Sequence, residues 1–277
     1  MTLWARCQKT LLLVERKPRG RAAFVSASGV NMEDGVYDTT ARVESEHWWF
    51  RGRRMLFTAE LRTLKVGANV GVLDIGTGTG SNLHLLREEG YQDVTGIDLN
   101  LLAIRYCLAK GFTSILAGDA TRLPFAEDQF DIVLATDTIE HIDDDGRALQ
   151  EIHRVLVPGG HAMIVVPAFQ SLWGLQDVVA QHKRRYRRAD LSEKIQSTGL
   201  AVQKIYYFNY LLFVPIWFAR QVIKMLGIKR ASEAEFNSTA LNQLLLWIFA
   251  IDVRTAPLIH PPFGVSILAI AQKSMQS

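Results

Sequence analysis

Cysteine is nearly absent from this 277-residue chain, which has only Cys7 and Cys107. Two thiols exclude a disulfide framework, and neither stands in a metal-ligand spacing. Such sparing use fits a reducing, cytoplasmic compartment. Long apolar runs are missing as well. A helix that crosses a membrane needs about 20 apolar residues in succession. The uncharged stretch 205–219 is shorter, and Asn209 and Pro215 interrupt it. Near the start, the apolar run 11–14 is too short for the core of a signal peptide. Excess positive charge is also lacking over most of the chain. The formal balance is +3, but residues 1–31 hold six cations and one acid, which leaves −2 for the remainder. A slightly acidic body gives no reason to expect a nucleic-acid partner. The tail 1–31 is Arg-rich and poor in acids, as in a mitochondrial presequence; an over-extended start accounts for it equally well. It is expected to be disordered and is left out of the fold.

What is present centres on Asp74-Ile75-Gly76-Thr77-Gly78-Thr79-Gly80. An apolar run reaches an acid, three glycines follow at alternate positions, and residues 81–89 read as a helix. Glycine accepts φ > 0 and lacks a Cβ, so such a turn lets backbone approach a ligand closely. A strand entering a glycine turn and a helix N-terminus makes a nucleotide site. The spacing is G-x-G-x-G, not the G-x-G-x-x-G of dinucleotide enzymes. A second strand, 94–98, ends in Asp98, whose carboxylate can accept from two adjacent ribose hydroxyls. Plainer roles exist for both acids: Asp74 as a loop cap, and Asp98 as the N-cap of a helix over 99–110. Gly118-Asp119-Ala120 follows a third apolar stretch, 114–117. A fourth strand covers 130–135, with 136–142 leaving its carboxyl end, and the turn 156–160 precedes a fifth at 161–166. Strands alternating with helical patterns predict a parallel sheet with right-handed crossovers. A helix over 191–197, a strand over 200–207 and a last strand over 264–272 follow.

These motifs, in this order over residues 70–166, resemble the class I S-adenosylmethionine (SAM)-dependent methyltransferases, in particular the type 11 family. The resemblance implies an α/β, Rossmann-like, seven-stranded and mostly parallel sheet. It implies a core at 66–208 and a last antiparallel strand within 264–277, to which this chain's own pattern adds a helical cap at 32–65 and a helical insertion at 209–263. It implies SAM as cofactor, bound by Asp74, Gly76, Thr77, Gly78, Gly80, Asp98, Leu99, Asp119, Ala120 and Thr136. In this family an acid at Asp119 meets the adenine amino group; Asp is also common in turns. No metal is expected. The expected reaction is methyl transfer to oxygen of a small or lipid-linked, anionic acceptor. An NAD(P)-dependent oxidoreductase is the alternative that explains the glycine turn and Asp98, but not the spacing. A non-catalytic SAM-binding regulator is the other.

Acceptor residues are harder to read. His47, Trp48, Trp49 and Phe50 precede a helix over 55–64; they either anchor a cap to the core or line the acceptor cavity. The segment His182-Lys183-Arg184-Arg185-Tyr186-Arg187-Arg188 is the densest basic cluster outside the tail. Cations at a helix N-terminus oppose its dipole, so an anionic ligand or an acidic neighbour should compensate them. Arg184, Arg185 and Tyr186 are the expected acceptor contacts. SAM carries a good leaving group, so alignment, which supplies about 7–11 kcal/mol, outweighs a general base. Two bases are nonetheless available, His141 beyond the fourth strand and His182; the alternative for His141 is a scaffold histidine. Apolar helices over 210–226 and 239–254, joined by a polar linker at 229–238, read as a lid or as an interfacial patch for peripheral membrane contact.

Overall fold

Each apolar run between Val70 and Val166 becomes a strand of the sheet in the computed structural model, which describes residues 32–225 and 238–275. The expected tail and all of the polar linker but Ser238 lie outside the described residues. In chain order the elements are α1 (Met32–Val43), α2 (Trp48–Thr63), β1 (Gly71–Ile75), α3 (Ser81–Glu88), β2 (Asp93–Asp98), α4 (Leu101–Ala109), β3 (Ile115–Ala117) and β4 (Phe130–Thr136). Then come a 3-10 turn (Ile139–His141), α5 (Asp145–Val155), β5 (Leu156–Pro167), α6 (Leu175–Val179), α7 (Arg188–Ser197), β6 (Leu200–Phe208), α8 (Phe213–Met225), α9 (Thr239–Ile259) and β7 (Ser266–Lys273).

The seven strands form one sheet in the order β3-β2-β1-β4-β5-β7-β6. Strands β1 to β5 pair in parallel, whereas β7 is antiparallel to both β5 and β6. Both faces are covered, which is why these strands read as near-continuous apolar runs. Leu73, Val133 and Ile164 point to a core closed by Leu149 and Ile152 of α5 and Leu191 and Ile195 of α7. Val72, Leu134 and Val165 point the other way, onto Leu56, Phe57 and Leu61 of α2 and Phe249 of α9. The period-2 alternation of side chains produces this division.

The helix α9 is therefore part of the core. Phe249, Asp252, Val253 and Ala256 are buried, a helical stripe at i, i+3, i+4 and i+7. Gly52 of α2 makes the close approach possible: a Cβ there would stand 2.0 Å from the Phe249 ring. Asp252 caps the junction of β6 and α8 by accepting from the N–H groups of Asn209, Tyr210 and Leu211 at 2.7, 2.6 and 3.2 Å. Burial outweighs those donors and pushes its carboxyl up to about 6. By contrast α8 exposes Val214, Trp217 and Phe218, and α9 exposes Trp247, Leu258 and Ile259. Among the described residues, no helix is long and apolar enough to cross a membrane.

Candidate cofactor and acceptor site

The carboxyl ends of β1, β2 and β4 lie side by side, and the glycine turn folds across them. Gly76 has φ +73° and a Cβ there would meet Thr138 Oγ1 at 2.5 Å, so no larger residue fits. Gly80 ends the turn at φ +85° as the N-cap of α3. The turn closes on Asp98, whose Oδ2 accepts the Gly78 N–H at 2.8 Å while Oδ1 accepts the Asn100 N–H at 2.9 Å. Asp98 thus ties the β1–α3 turn to the β2–α4 turn. It is not the N-cap of α4, because Asn100 takes that place and accepts from Leu102 N–H at 2.8 Å.

Asp74 is fully buried. Its Oδ1 accepts from Asn82 Nδ2 at 2.9 Å, and the same amide donates to Thr136 Oγ1 at 2.9 Å. Among the described residues its Oδ2 has no hydrogen-bond partner. Burial, with the charge of Asp98 adding to it, pushes the carboxyl up to about 7 against the pull of Asn82. A buried, unsatisfied carboxylate oxygen calls for a compensating group, and a cationic ligand over the turn would supply it. Leu99 stands beside the turn with 75% of its surface exposed. Asp119 is exposed, and its Oδ1 accepts from the N–H and hydroxyl of Thr121, both at 2.8 Å. That is the turn role; Ala120 beside it is half-buried.

Two residues that the sequence motifs do not mark tie the N-terminal cap to the site. Glu44, at the corner between α1 and α2, accepts from the Thr79 hydroxyl and pairs with Lys110. Lys110 also donates to the Thr79 carbonyl at 2.7 Å. Arg53 of α2 reaches Asp137, just past β4, at 2.7 Å. No local pattern marks either residue, since both partners are distant in sequence.

The aromatic segment anchors the cap. His47 caps α2 by accepting from Trp49 N–H at 3.3 Å, and burial lowers its pKa. Trp48 meets Phe249 edge-on at 5.8 Å; Trp49 stacks on Phe249 at 5.6 Å and on Phe208 at 6.2 Å. These contacts join α2, α9 and β6.

The basic segment differs from its expectation. The acidic-neighbour alternative holds for Arg184, Arg185 and Tyr186. Arg185 gives two bonds to Asp177, at 2.7 and 3.0 Å, and a third to the Ala168 carbonyl at 2.9 Å. Its side chain is 4% exposed, so it is not presented to an acceptor. Burial opposes the ionisation of Asp177, but His182 and Arg185 hold it well below the usual carboxylate range. Tyr186 is buried with its hydroxyl on Asp145 Oδ2 at 2.8 Å. Arg184 pairs with the same Asp145 at 3.0 Å. Compact acidic partners within α5 and α6 therefore neutralise cations that sequence alone leaves unpaired.

The two histidines come together. The rings of His141 and His182 stand 4.7 Å apart, nearly perpendicular. His182 Nδ1 bonds Asp177 Oδ1 at 2.8 Å. Burial, then the neighbouring His182, pushes His141 down to about 4, which keeps it neutral near pH 7.

Residues 73–164 match the family described as Methyltransferase domain. A demethylmenaquinone methyltransferase of Mycobacterium marinum is 33% identical over 141 residues, covering 48% of this chain and 57% of the relative. A malonyl-[acyl-carrier protein] O-methyltransferase of Pseudescherichia vulneris is 33% identical over 118 residues, covering 42% and 47%. The chain spans about half the length of these relatives. Among solved structures, a chain from the complex of the Haloferax volcanii Trm112 methyltransferase activator with a methyltransferase aligns with TM-score 0.61. It is 22% identical and covers 90% of this chain and 99% of its own. Phosphoethanolamine N-methyltransferase 2 of Haemonchus contortus, in complex with SAM, aligns with TM-score 0.58 at 18% identity, covering 91% and 62%. The sheet thus has the fold of these methyltransferases. An antiparallel β7 between β5 and β6 also departs from the 3-2-1-4-5-6 order of dinucleotide oxidoreductases.

Proposed function

We propose that this chain transfers a methyl group from SAM to an oxygen of a small or lipid-linked acceptor. The observation that carries the reading is the closure of the glycine turn on Asp98 beside the buried, unsatisfied Oδ2 of Asp74. On this reading Asp98 exchanges its backbone partners for ribose hydroxyls, and Asp74 faces the cationic end of SAM. Asp119 would turn toward the adenine. The protein's main contribution is to align the sulfonium methyl with the acceptor and to exclude water.

A lipid-linked acceptor is supported by the exposed apolar side chains of α8 and α9, which a soluble acceptor would not need. They also suit peripheral contact with a lipid surface. Arg184 and Arg185, the expected contacts of an anionic acceptor, pair instead with Asp145 and Asp177. The reading is tested by incubating the protein with methyl-labelled SAM and cell extract, then separating organic from aqueous phases. Label in the organic phase that depends on the protein is expected; label confined to water-soluble products would exclude the lipid-linked acceptor.

A further inference from the structure

Glu140 is fully buried, yet among the described residues neither of its carboxylate oxygens has a hydrogen-bond partner. It sits in the 3-10 turn after β4, fixed by its own carbonyl, which accepts from Lys183 N–H at 2.8 Å. That bond brings the 182–183 segment against the turn. His182 then directs Nε2 at Glu140 Oε1, 4.0 Å away, while its Nδ1 is held by Asp177. The His141 ring completes the group, with backbone of Ala180 and Asp137 against it. One potential ligand atom from each of Glu140, His141 and His182 lies within 4.8 Å of the others.

A buried carboxylate without a partner is costly and demands an explanation. Arg53 and Arg185 are engaged by Asp137 and Asp177. A cation would satisfy the whole group at once. We propose that Glu140, His141 and His182 bind one divalent first-row transition-metal ion. Two imidazoles and one carboxylate form a donor set that suits zinc, iron(II), cobalt or manganese and disfavours magnesium. The Asp177 carboxylate behind His182 is the outer partner such ligands usually have; it fixes the ring so that Nε2 faces the ion. With metal–ligand bonds of about 2.0–2.2 Å, the widest donor pair must close by roughly an ångström, within reach of side-chain rotation.

Three protein ligands leave positions open. Thr138, between Asp137 and Glu140 in sequence, bonds the Ile75 carbonyl at 2.9 Å and packs against Gly76, so the group borders the glycine turn. Resting on the methyl-transfer reading, the open positions take oxygen atoms of the acceptor. The ion lowers the hydroxyl's pKa and its proton passes to water. An oxygen lone pair forms the O–C bond, and the pair of the broken C–S bond stays on sulfur as a neutral thioether.

The test uses the full chain stripped of metal by chelator and dialysis. Zinc titration followed by calorimetry and elemental analysis should give one ion per chain, and cobalt(II) should give visible bands of nitrogen and oxygen ligation. Glu140→Gln and His182→Gln should each weaken zinc binding at least tenfold while SAM affinity is kept. Wild-type crystals soaked in zinc should show an anomalous peak among the three side chains, a readout that does not depend on a variant folding. No stoichiometric uptake by the wild type, uptake equal in both variants, or a peak elsewhere would overturn the proposal. Zinc bound at this site without SAM binding would uphold it while removing the methyl-transfer reading.

Discussion

Removing Asp177 should destabilise the fold more than any surface change. Its side chain is fully buried and accepts from Arg185 at 2.7 and 3.0 Å, from Gly174 N–H at 2.7 Å and bonds His182 at 2.8 Å. In Asp177→Ala the Arg185 guanidinium stays buried without its counter-charge. Breaking one side of a buried pair costs about 3–5 kcal/mol. A protein of this size loses about 2–4 °C of Tm per kcal/mol, so Tm should fall by roughly 6–20 °C. Replacing the pair together, Asp177→Leu with Arg185→Met, removes both of these charges and should recover part of the loss, since Arg220, 3.9 Å from Asp177, keeps its charge. Calorimetric and urea melts of the two variants and the wild type decide the matter. A loss under about 1 kcal/mol for Asp177→Ala, the size of an exposed pair, would refute the structural role of Arg185 and return it to the acceptor.

Asp98→Ala should weaken SAM binding by about 1.5–3 kcal/mol for each charged hydrogen bond lost, measured by calorimetry, with the glycine turn loosened as its Gly78 bond disappears. The raised Asp74 pKa of about 7 gives SAM binding a pH dependence. The cation prefers the ionised acid, so affinity should level off above pH 7 and fall up to about tenfold per unit below it; Asp74→Asn should flatten the titration. Gly52→Ala puts a methyl 2.0 Å from the Phe249 ring and should cost about 1–3 kcal/mol by overpacking, seen as a lower urea midpoint.

The parallel core was legible because its strands are buried on both faces, so their positions stand out as apolar runs punctuated by glycine. The site's backbone was legible for the same reason: only glycine fits at Gly76, and that requirement is written in the sequence. Charge partners were not legible. Asp177 lies in a helix of five residues that local pattern merges with its loop, so Arg185 looked available when it is paired. Glu44 and Thr79 meet across 35 positions, with no periodicity to announce it. The burial of Glu140 depends on packing between the β4 turn and the segment before α7, which no spacing rule encodes. Likewise, the polar Asp252 within an apolar helix makes sense only once three backbone N–H groups converge on it.

The most direct test of the account is a calorimetric titration of the purified chain with SAM, S-adenosylhomocysteine and NAD in parallel. One saturable site for SAM and for its demethylated product, weakened in Asp98→Ala, with no heat from NAD, is the predicted result. Saturable NAD binding with none for SAM would contradict it.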